Sequence, residues 1–539
     1  MAAARSGPQS TGVSPLSLTP LAVAPDLLTW SLEIGFIAYA VVITVVVLLE
    51  RRRPTATLAL ILALVFLPVL GLLVYLLLGR RAKRRQSRRR RRIVRPFDEM
   101  RDFAAAARLP PDTTAIQRSL VQLAMSTAAA PVRHASLVEL YADPRATFAA
   151  MHAAIDSAEH YLHVMFYIWR DDATGRELVA RLTARAHAGI KVRVLLDHLG
   201  SFGIDDAHFA PLLEAGGELG WFGRLRIPWR PWRSKVNFRN HRKILVADGG
   251  RGFIGGINVG DEYSGNGTVL RGWRDMMVEL HGDAVVGLDA VFLDDWLVST
   301  GQVIDVSGKR TPALAHIDAR RPARRRWIGR ERPTDRALRA HNPFGALPAR
   351  TPSDEGPLVQ IVPSGPDAPV AEAIATQITA AIAGACARAW IVTPYFVPDE
   401  PLLAALRTAA LRGVDVRVIV PAAVNNDSRL VALAAASYYD DLLDAGARVF
   451  EYQAGMLHAK YAVFDDISLV GSANMDVRSF HLNYEIIALF YDAGVTGGVV
   501  SRFSEDLSDS REITADDRET LGWRRTVLEA GARVMSPLL

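Results

Sequence analysis

The amino-acid sequence predicts an α/β protein with an internal duplication, behind an N-terminal two-helix transmembrane hairpin. Three observations predict this fold class. Two apolar runs lie within the first 80 residues. After about residue 135, short β-branched runs alternate with Ala/Leu-rich stretches, which is the pattern of an α/β domain. Several segments of the first half then recur, in the same order, in the second half.

The stronger apolar run is 58–78, which has 21 residues and no charge. At about 1.5 Å per residue, a helix of this length spans a hydrocarbon core of roughly 30 Å. The run 34–49 is shorter and spans only by borrowing 27–32, which leaves Glu33 near an interface beside Trp30. Arginines flank both runs, which argues against buried helices of a soluble core. No basic region precedes the first run, so a hairpin is favoured over a cleaved signal peptide.

The arginine distribution predicts the orientation of the hairpin. The turn holds three arginines at 51–53, whereas residues 80–95 hold eleven Arg or Lys. The positive-inside rule therefore places the chain after residue 80 in the cytoplasm and the short turn outside. The basic run is expected to lie against anionic lipid headgroups or to be a solvated flank of the span, and these two interpretations are compatible.

Composition excludes several kinds of site. The chain has 63 basic and 57 acidic residues, so its net charge is only +6 and its basicity is local. The single cysteine, Cys386, cannot form an intrachain disulfide, and the sequence contains no cluster with the spacing of metal ligands. Neither a structural metal nor a cofactor is therefore expected.

An internal duplication is indicated by four pairs of matching segments, at offsets between 216 and 230 residues. The pairs are GIKVRVLLD (189–197) with GVDVRVIVP (413–421), LLEAGGELGWF (212–222) with LLDAGARVFEY (442–452), HRKILVAD (241–248) with HAKYAVFD (458–465), and FIGGIN (253–258) with LVGSAN (469–474). An Arg/Pro-rich stretch, 308–355, separates the halves and is interpreted as a solvated linker or surface excursion that could touch lipid phosphate.

The third pair of segments carries the chemistry. Side chains alternate along a strand, so His241 and Lys243 are predicted to project to one side, at the exposed entrance of a buried strand, as are His458 and Lys460. Two such pairs facing each other would place two imidazoles and two ammonium groups around one small anion. A phosphodiester suits this arrangement: one imidazole attacks phosphorus, the other exchanges protons with the alcohols, and the lysines bind the non-bridging oxygens.

Four carboxylates accompany these pairs. Asp248 and Asp465 complete the catalytic motif, but their spacing puts them out of phase with the histidines, so they are expected to anchor backbone at the strand end. Asp275 and Glu485 follow the histidines of their own halves by 34 and 27 residues and are predicted to orient them.

Four small or polar residues are predicted to bind or support the phosphate, namely Asn258, Asn474, Ser472 and Gly256. Of the other eleven histidines, His481 is the one candidate for a role in the site. The stretch 221–240 interleaves aromatics with arginines and is interpreted either as an interfacial rim or as an ordinary loop.

The doubled HxKxxxxD motif with a following GG/GS-x-N resembles the phospholipase D superfamily, and the chain is most similar to its bacterial cardiolipin synthases. The resemblance covers nearly everything after about residue 30 except the 308–355 linker. Its motifs are NHRKILVADG, FIGGINVGDEY, WRD, SGPD (364–367), TPYFVPDE (393–400), LHAKYAVFD, GSANMDVRSFHLNYE and the anchor ending LGLLVYLLLGRR.

The resemblance implies two similar α/β lobes, each a mixed sheet flanked by helices, that share one active site in a multi-pass protein of the bacterial inner membrane. It also implies that one phosphatidylglycerol gives its phosphatidyl group to a histidine, releasing glycerol, and that a second phosphatidylglycerol accepts it to give cardiolipin. His241 is the preferred nucleophile and His458 the acid and base, although the symmetric motifs also permit the reverse. Anionic lipid headgroups are expected partners, and nucleic acid is not.

Rival functions remain at this point. A membrane-bound phospholipase D would use the same residues and pass the phosphatidyl group to water, and another phosphatidyltransferase would use a different donor or acceptor alcohol. Two predicted spans disfavour a nuclease, and the intact motifs disfavour a non-catalytic scaffold.

The predicted organisation has six parts: a flexible tail (1–29), the hairpin (30–79), a basic juxtamembrane segment and linker (80–135), lobe 1 (136–307), the Arg/Pro-rich linker (308–355) and lobe 2 (356–539).

Overall fold

The computed structural model describes residues 25–49, 54–67, 109–224, 238–265, 272–304, 356–368 and 370–536. The chain divides into two compact units, Met1–Arg80 and Arg81–Leu539. The predictions for most of the N-terminal tail, the basic run, the 308–355 linker and most of the 221–240 stretch lie outside the described residues.

The first unit contains helices α1 (Pro25–Leu48) and α2 (Pro54–Phe66). Within α1, Thr29–Leu48 is long and apolar enough to cross a membrane, and it is the one helix of the described residues that is. The two helices pack together, since the Tyr39 hydroxyl donates to the Leu64 carbonyl at 3.1 Å. α2 has 13 residues, fewer than a span needs, and residues 68–78 of the second apolar run lie outside the described residues.

The second unit begins within the segment predicted to be a linker. Helix α3 (Ala115–Ala128) starts at a capping box in which Thr114 and Gln117 each accept from the other's backbone N–H. Strand β1 (Val132–His134) follows, and it pairs with the sheet of lobe 2 rather than with lobe 1. Residues 132–134 therefore supply an edge strand of the second lobe.

Lobe 1 is a seven-stranded mixed sheet with the order β2-β8-β7-β6-β3-β4-β5. At one end of this sheet β3, β4 and β5 are parallel, and the other neighbours are antiparallel. Its strands are β2 (Leu137–Tyr141), β3 (Tyr161–Phe166), β4 (Lys191–Asp197), β5 (Glu218–Phe222), β6 (Ile244–Ala247), β7 (Arg251–Gly255) and β8 (Met277–His281). Its helices are α4 (Pro144–Ser157), α5 (Ala173–His187), α6 (Ala210–Glu214) and α7 (Val285–Thr300), with 3₁₀ turns at Asp206–Phe209 and Gly282–Ala284.

Lobe 2 is a nine-stranded sheet with the order β1-β9-β17-β15-β14-β10-β12-β13-β18. Its further strands are β9 (Leu358–Ser364), β10 (Arg388–Val392), β12 (Asp415–Pro421), β13 (Arg448–Tyr452), β14 (Tyr461–Phe464), β15 (Ile467–Gly471), β17 (Glu485–Phe490) and β18 (Ser510–Ile513), and β11 (Phe396–Val397) pairs separately with β16 (Met475–Asp476). Its helices are α8 (Ala373–Gly384), α9 (Glu400–Leu411), α10 (Arg429–Ala436), α11 (Tyr439–Leu443), α12 (Val477–His481), α13 (Ala493–Ser508), α14 (Ala515–Glu519) and α15 (Trp523–Val534).

The two sheets have the same internal order. Reading from β9 to β13, the seven inner strands of lobe 2 match β2 to β5 of lobe 1 one for one, with the same three parallel strands at one end. The predicted mixed sheets flanked by helices are confirmed. The lobes also share one apolar core, in which Ile254 and Val278 of lobe 1 cluster with Val470 and Ile486 of lobe 2. This shared core fixes one sheet against the other.

Candidate active site

Both His-x-Lys segments lie in irregular chain directly before a strand, 241–243 before β6 and 458–460 before β14. β6 is antiparallel to β3, with Ile244 opposite Met165, so His241 lies at the edge where the parallel strands of lobe 1 end. The same pairing of β14 with β10 puts His458 at the corresponding edge of lobe 2. Polar loops leave a sheet at this edge, so it is the usual place for a site in an α/β fold.

The predicted exposed entrance of each strand is instead buried, and this corrects the sequence interpretation. His241 is 8% exposed and His458 5%, while Lys243 and Lys460 are at 0% and 1%. The cause is the other lobe. The His241 N–H donates to the Tyr484 carbonyl at 2.9 Å. Likewise, the His458 N–H donates to the Arg274 carbonyl at 2.6 Å. Each histidine segment is thus covered by backbone from the opposite lobe.

The carboxylates that orient the histidines are exchanged between the lobes. Nδ1 of His241 lies 3.0 Å from Oε2 of Glu485 in lobe 2. Nδ1 of His458 lies 2.7 Å from Oδ2 of Asp275 in lobe 1. The pairing expected within each half is therefore wrong. The backbone contact at Tyr484 brings Glu485 to His241, and the contact at Arg274 brings Asp275 to His458. One site results, and neither lobe completes it alone.

Both lysines fold back onto their own segments. Nζ of Lys243 donates to the His241 carbonyl at 2.6 Å and lies 5.4 Å from the centroid of the Tyr167 ring. Nζ of Lys460 donates to the His458 carbonyl and lies 2.7 Å from Nδ1 of the same histidine. These contacts hold each ammonium group close to the histidine of its own motif. The positive charge of each lysine therefore acts on that imidazole.

Burial and the lysine charges keep both imidazoles neutral. Burial lowers the pKa of His458 to about 3, with the Lys460 charge adding to the effect. Burial also lowers the pKa of His241, and both Lys243 and Lys460 of the other lobe add to that shift. The influence of Lys460 on His241 means that the two motifs share one electrostatic field.

The pKa values of the two lysines and of the two carboxylates are also lowered, but for different reasons. Burial lowers the pKa of Lys460 to about 8 and that of Lys243 well below its usual value, against the attraction of the carboxylates. Burial alone would raise the pKa of Asp275 and Glu485, but the neighbouring lysines and histidines outweigh it and hold both below their usual values. Both carboxylates are therefore ionised at neutral pH, while the lysines lose protons more readily than exposed ones.

Gly256 and Ser472 occupy matching positions and serve matching carboxylates. A Cβ atom on Gly256 would lie 2.1 Å from Oδ1 of Asp275, so only glycine leaves room for that carboxylate. The Ser472 hydroxyl instead donates to Oε2 of Glu485 at 2.5 Å. The structure thus places both residues at the carboxylates, where they support the site indirectly.

The two asparagines are buried, with Asn258 at 2% and Asn474 at 4% exposure. The side-chain oxygen of Asn258 accepts from the Ile168 N–H at 3.2 Å, which leaves its NH₂ group as a donor for a ligand. Oδ1 of Asn474 is buried without a hydrogen-bond partner among the described residues. Their binding of phosphate stays a prediction.

Asp248 and Asp465 lie at the far ends of β6 and β14 from the histidines. Asp248 accepts from the backbone N–H groups of residues 159, 160 and 161 at 2.7–2.8 Å, and Asp465 from those of 386, 387 and 388 at 2.8–2.9 Å. Both adopt positive φ, 53° and 50°. They hold backbone at the strand end, and the structure does not support the catalytic assignment that the motif gave them.

Three aromatic rings at the histidines were missed. The Tyr167 ring lies 4.9 Å from that of His241, and Trp273 and Tyr395 lie 4.9 and 6.3 Å from His458. Their positions in the sequence could have indicated two of them, because Tyr167 and Tyr395 each follow a buried parallel strand.

The candidate His481 has both ring nitrogens engaged, by Glu372 and by Asp399, each at 3.1 Å.

Arg242, which lies between His241 and Lys243, was also given no role in the sequence analysis. Its guanidinium pairs with Asp295, donates to the Glu485 carbonyl at 3.0 Å and donates to the Ser364 carbonyl at 2.7 Å. It is 1% exposed. This arginine therefore ties the catalytic segment of lobe 1 to the backbone that carries Glu485.

Comparison with known proteins agrees with this geometry. A family model described as "Cardiolipin synthase, PLD-like domain" matches residues 151–294 and 378–507, one match in each lobe. A second model, "Phospholipase_D-nuclease N-terminal", matches residues 36–80.

Curated relatives cover nearly the whole chain. Cardiolipin synthase of Geobacillus kaustophilus is 34% identical over 92% of this chain and 91% of its own length. Cardiolipin synthase 2 of Bacillus cereus is 34% identical over 94% and 91%. Among solved structures, phosphatidylserine synthase of Haemophilus influenzae Rd KW20 matches with a TM-score of 0.55 and 14% identity, over 78% of this chain and 100% of its own, which is a likeness of fold. With both motifs intact in one shared site, the chain belongs to the cardiolipin synthase family of the phospholipase D superfamily.

Proposed function

We propose that this protein is a cardiolipin synthase, which transfers a phosphatidyl group from one phosphatidylglycerol to another and releases glycerol. The observation that carries the proposal is the exchanged pair of His–carboxylate contacts, His241 with Glu485 and His458 with Asp275, each beside a buried lysine. Relatives that are 34% identical along almost the full chain are cardiolipin synthases, which favours lipid transfer over the other reactions of this chemistry.

His241 is the proposed nucleophile. Two acceptors, the Ser472 carbonyl at 3.1 Å and Oε2 of Glu485 at 3.0 Å, face its Nδ1. The neutral ring therefore carries its proton on Nδ1 and leaves the lone pair on Nε2. Attack of Nε2 on phosphorus forms a P–N bond as the P–O bond to glycerol breaks. The ionised Glu485 stabilises the positive charge that develops on the ring.

His458 is the proposed acid and base. Its Nδ1 lies between a carboxylate, Asp275, and the ammonium of Lys460, each at 2.7 Å. Phosphate in the cleft adds negative charge, which raises the pKa of this buried imidazole and favours the imidazolium. Its Nε2 then gives a proton to the departing glycerol oxygen. The hydroxyl of the second phosphatidylglycerol returns that proton as its oxygen attacks phosphorus and the P–N bond breaks.

Lys243 and Lys460 are proposed to bind the non-bridging oxygens. Both are buried, so their charges act in a medium of low dielectric constant and are worth more than at a surface. The NH₂ group of Asn258 and the corresponding Asn474 are proposed to add hydrogen bonds to the same oxygens. Asp275 and Glu485 act through the histidines, and Gly256 and Ser472 act through those carboxylates.

The finer topology is also proposed. α1 is long and apolar enough to span, and the hydrogen bond from Tyr39 to the Leu64 carbonyl supports a multi-pass hairpin in which α2 returns beside α1. The eleven basic residues at 80–95 support a cytoplasmic catalytic part that lies against anionic headgroups. The six-part organisation from tail to lobe 2 is proposed with two changes. α1 begins at Pro25, within the predicted tail, and 115–134 supplies α3 and β1 to lobe 2.

A product assay tests the function. The solubilised full chain is incubated with phosphatidylglycerol alone, in EDTA, and the lipids are identified by mass spectrometry. Cardiolipin and glycerol in equal amounts are expected. Phosphatidic acid as the main product would mean that water accepts the phosphatidyl group and that the protein is a hydrolase, and dependence on added metal would overturn the metal-free mechanism.

A further inference from the structure

Helix α15 presents its apolar side to solvent and its charged side to the protein. Trp523, Val527 and Val534 recur at helical spacing, and they are 72%, 61% and 79% exposed. Glu529 on the opposite side is 2% exposed, and Arg518 and Arg525 each pair with it at 2.7 Å. An ordinary surface helix has the reverse arrangement. The Arg518–Glu529 pair therefore ties the helix to α14, and the apolar stripe of the helix is left for another surface.

This stripe lies on elements that lead directly to the active site. α15 packs against α10, and Arg533 donates to the Ser437 carbonyl at the end of α10 at 2.9 Å. The loop before α10 carries Val424, which is 88% exposed. The same loop carries Asp427, which accepts from the Tyr395 hydroxyl at 2.7 Å, and the Tyr395 ring is one of the rings beside His458.

We propose that the apolar stripe of α15, together with the Val424 loop, docks into the surface of an anionic bilayer and sets the catalytic cleft at the headgroup layer. The inference rests on the proposed function, because it takes the substrate to be a membrane lipid. The chemistry of the stripe fits this partner: an exposed Trp and two Val residues enter the interface, and flanking arginines meet anionic headgroups. Arg524 stacks over Trp523 at 5.6 Å, with its charge at the rim of the stripe.

Labelling tests the docking directly. In a Cys386→Ser background, Val527→Cys carries an environment-sensitive fluorophore, and the full chain is reconstituted into vesicles of phosphatidylglycerol and phosphatidylcholine that contain spin-labelled lipid. The unsubstituted chain labelled at Cys386 is the control, since this cysteine is exposed and precedes β10, at the opposite edge of the sheet from the histidines. Strong quenching at position 527 and little at 386 is expected.

The other outcomes overturn the proposal. Equal quenching at both positions would mean that α15 has no preferred contact with lipid. Disulfide-linked dimers through Val527→Cys, without quenching, would assign the stripe to a second copy of the chain. Protection of the probe from both lipid and cross-linking would assign it to another segment of this chain.

A kinetic comparison separates this inference from the function. The double variant Trp523→Ser/Val527→Ser is expected to need about tenfold more phosphatidylglycerol in vesicles for half-maximal rate, with unchanged rates on a soluble short-chain phosphatidylglycerol. Leu411→Ser is the matched control, since Leu411 is 71% exposed and ends α9, next to the start of β12. Equal behaviour of the double variant and the native chain would overturn the docking, whereas failure of the native chain to make cardiolipin would overturn the function.

Discussion

Glu485 of lobe 2 lies 3.0 Å from Nδ1 of His241 in lobe 1, and the matching contact, Asp275 with His458, runs in the other direction between the lobes. The two contacts together make a single site with one oriented histidine from each lobe. Because each carboxylate serves the histidine of the opposite lobe, substituting it should affect the reaction step that belongs to that histidine. Glu485 of lobe 2 is therefore expected to affect the step carried out by His241, and Asp275 of lobe 1 the step carried out by His458.

A substrate whose leaving group needs no proton distinguishes the roles of the two histidines. A phosphatidyl ester of p-nitrophenol needs no proton on its leaving oxygen, so His458→Ala should keep a burst of p-nitrophenol and accumulate a phosphatidyl-histidine. His241→Ala should give neither. Rapid-mixing absorbance and mass spectrometry of the trapped protein measure both. A burst in His241→Ala and none in His458→Ala would exchange the two roles.

The exchanged carboxylates predict a matched pair of effects on the same ester. Glu485→Gln removes the charge that stabilises the cationic His241, so the burst rate should fall by about 10²–10⁴-fold. Asp275→Asn should leave the burst nearly intact and slow turnover of phosphatidylglycerol itself, where glycerol must be protonated. If Asp275→Asn slowed the burst and Glu485→Gln spared it, each carboxylate would be serving the histidine of its own lobe.

Alkaline pH should inactivate the free enzyme through Lys460. Burial lowers the pKa of this ammonium group to about 8. It therefore loses its proton as the pH rises through that value, and it then no longer binds the phosphate oxygens as a cation. kcat/KM, which reports the free enzyme, should therefore fall above about pH 8, while kcat falls at higher pH because bound phosphate raises the pKa of the lysine. Lys460→Arg should remove the part of the alkaline fall that comes from Lys460, at a lower overall rate. A rate that stays flat to pH 10 in the native enzyme would contradict this assignment.

Gly256→Ala should lower kcat by about 10²-fold, because the new Cβ would lie 2.1 Å from Oδ1 of Asp275 and must displace it. Gly256→Ser should fare no better, although Ser472 stands at the matching position. Gly497→Ala in α13, with nothing within 4 Å of the new atom, is the control and should keep full activity with equal or higher thermal stability. Full activity in Gly256→Ala would show that the close approach to Asp275 is not required.

Asp248→Ala should act on stability rather than on chemistry. Its carboxylate accepts from three backbone N–H groups, so its loss should lower the free energy of unfolding by about 1–3 kcal/mol. The rate per folded molecule should change little, as measured at a temperature where the variant stays folded. A large drop in kcat with an unchanged melting temperature would restore this residue to the catalytic group.

The sequence predicted the parts of the site that lie within one short segment and occur in both halves of the chain. The doubled motif located His241, Lys243, His458 and Lys460, and the duplication predicted two lobes with the same kind of sheet. What it could not supply was the partner of each histidine. Sequence spacing favours the carboxylate of the same half, whereas Glu485 reaches His241 only because of how the two lobes pack.

Burial of the site was beyond the sequence for the same reason. A strand entrance followed by ILVA is exposed in an isolated lobe, and it becomes buried when the Tyr484 backbone pairs with the segment. The aromatic rings of Tyr167 and Trp273 were equally hidden, since a single sequence does not distinguish a core ring from one that borders a reacting imidazole.

The strand β1 has a consequence for synthesis of the protein. Val132 pairs with Gln360, so a strand made before lobe 1 must wait for residues made after it. Such long sequence separation slows folding, because the loop-closure entropy is lost before the contacts form. The ribosome releases lobe 1 while His241 still lacks Glu485. The proposed nucleophile is therefore not oriented until the last strands of lobe 2 have been made, and the chain cannot start the proposed transfer before that point.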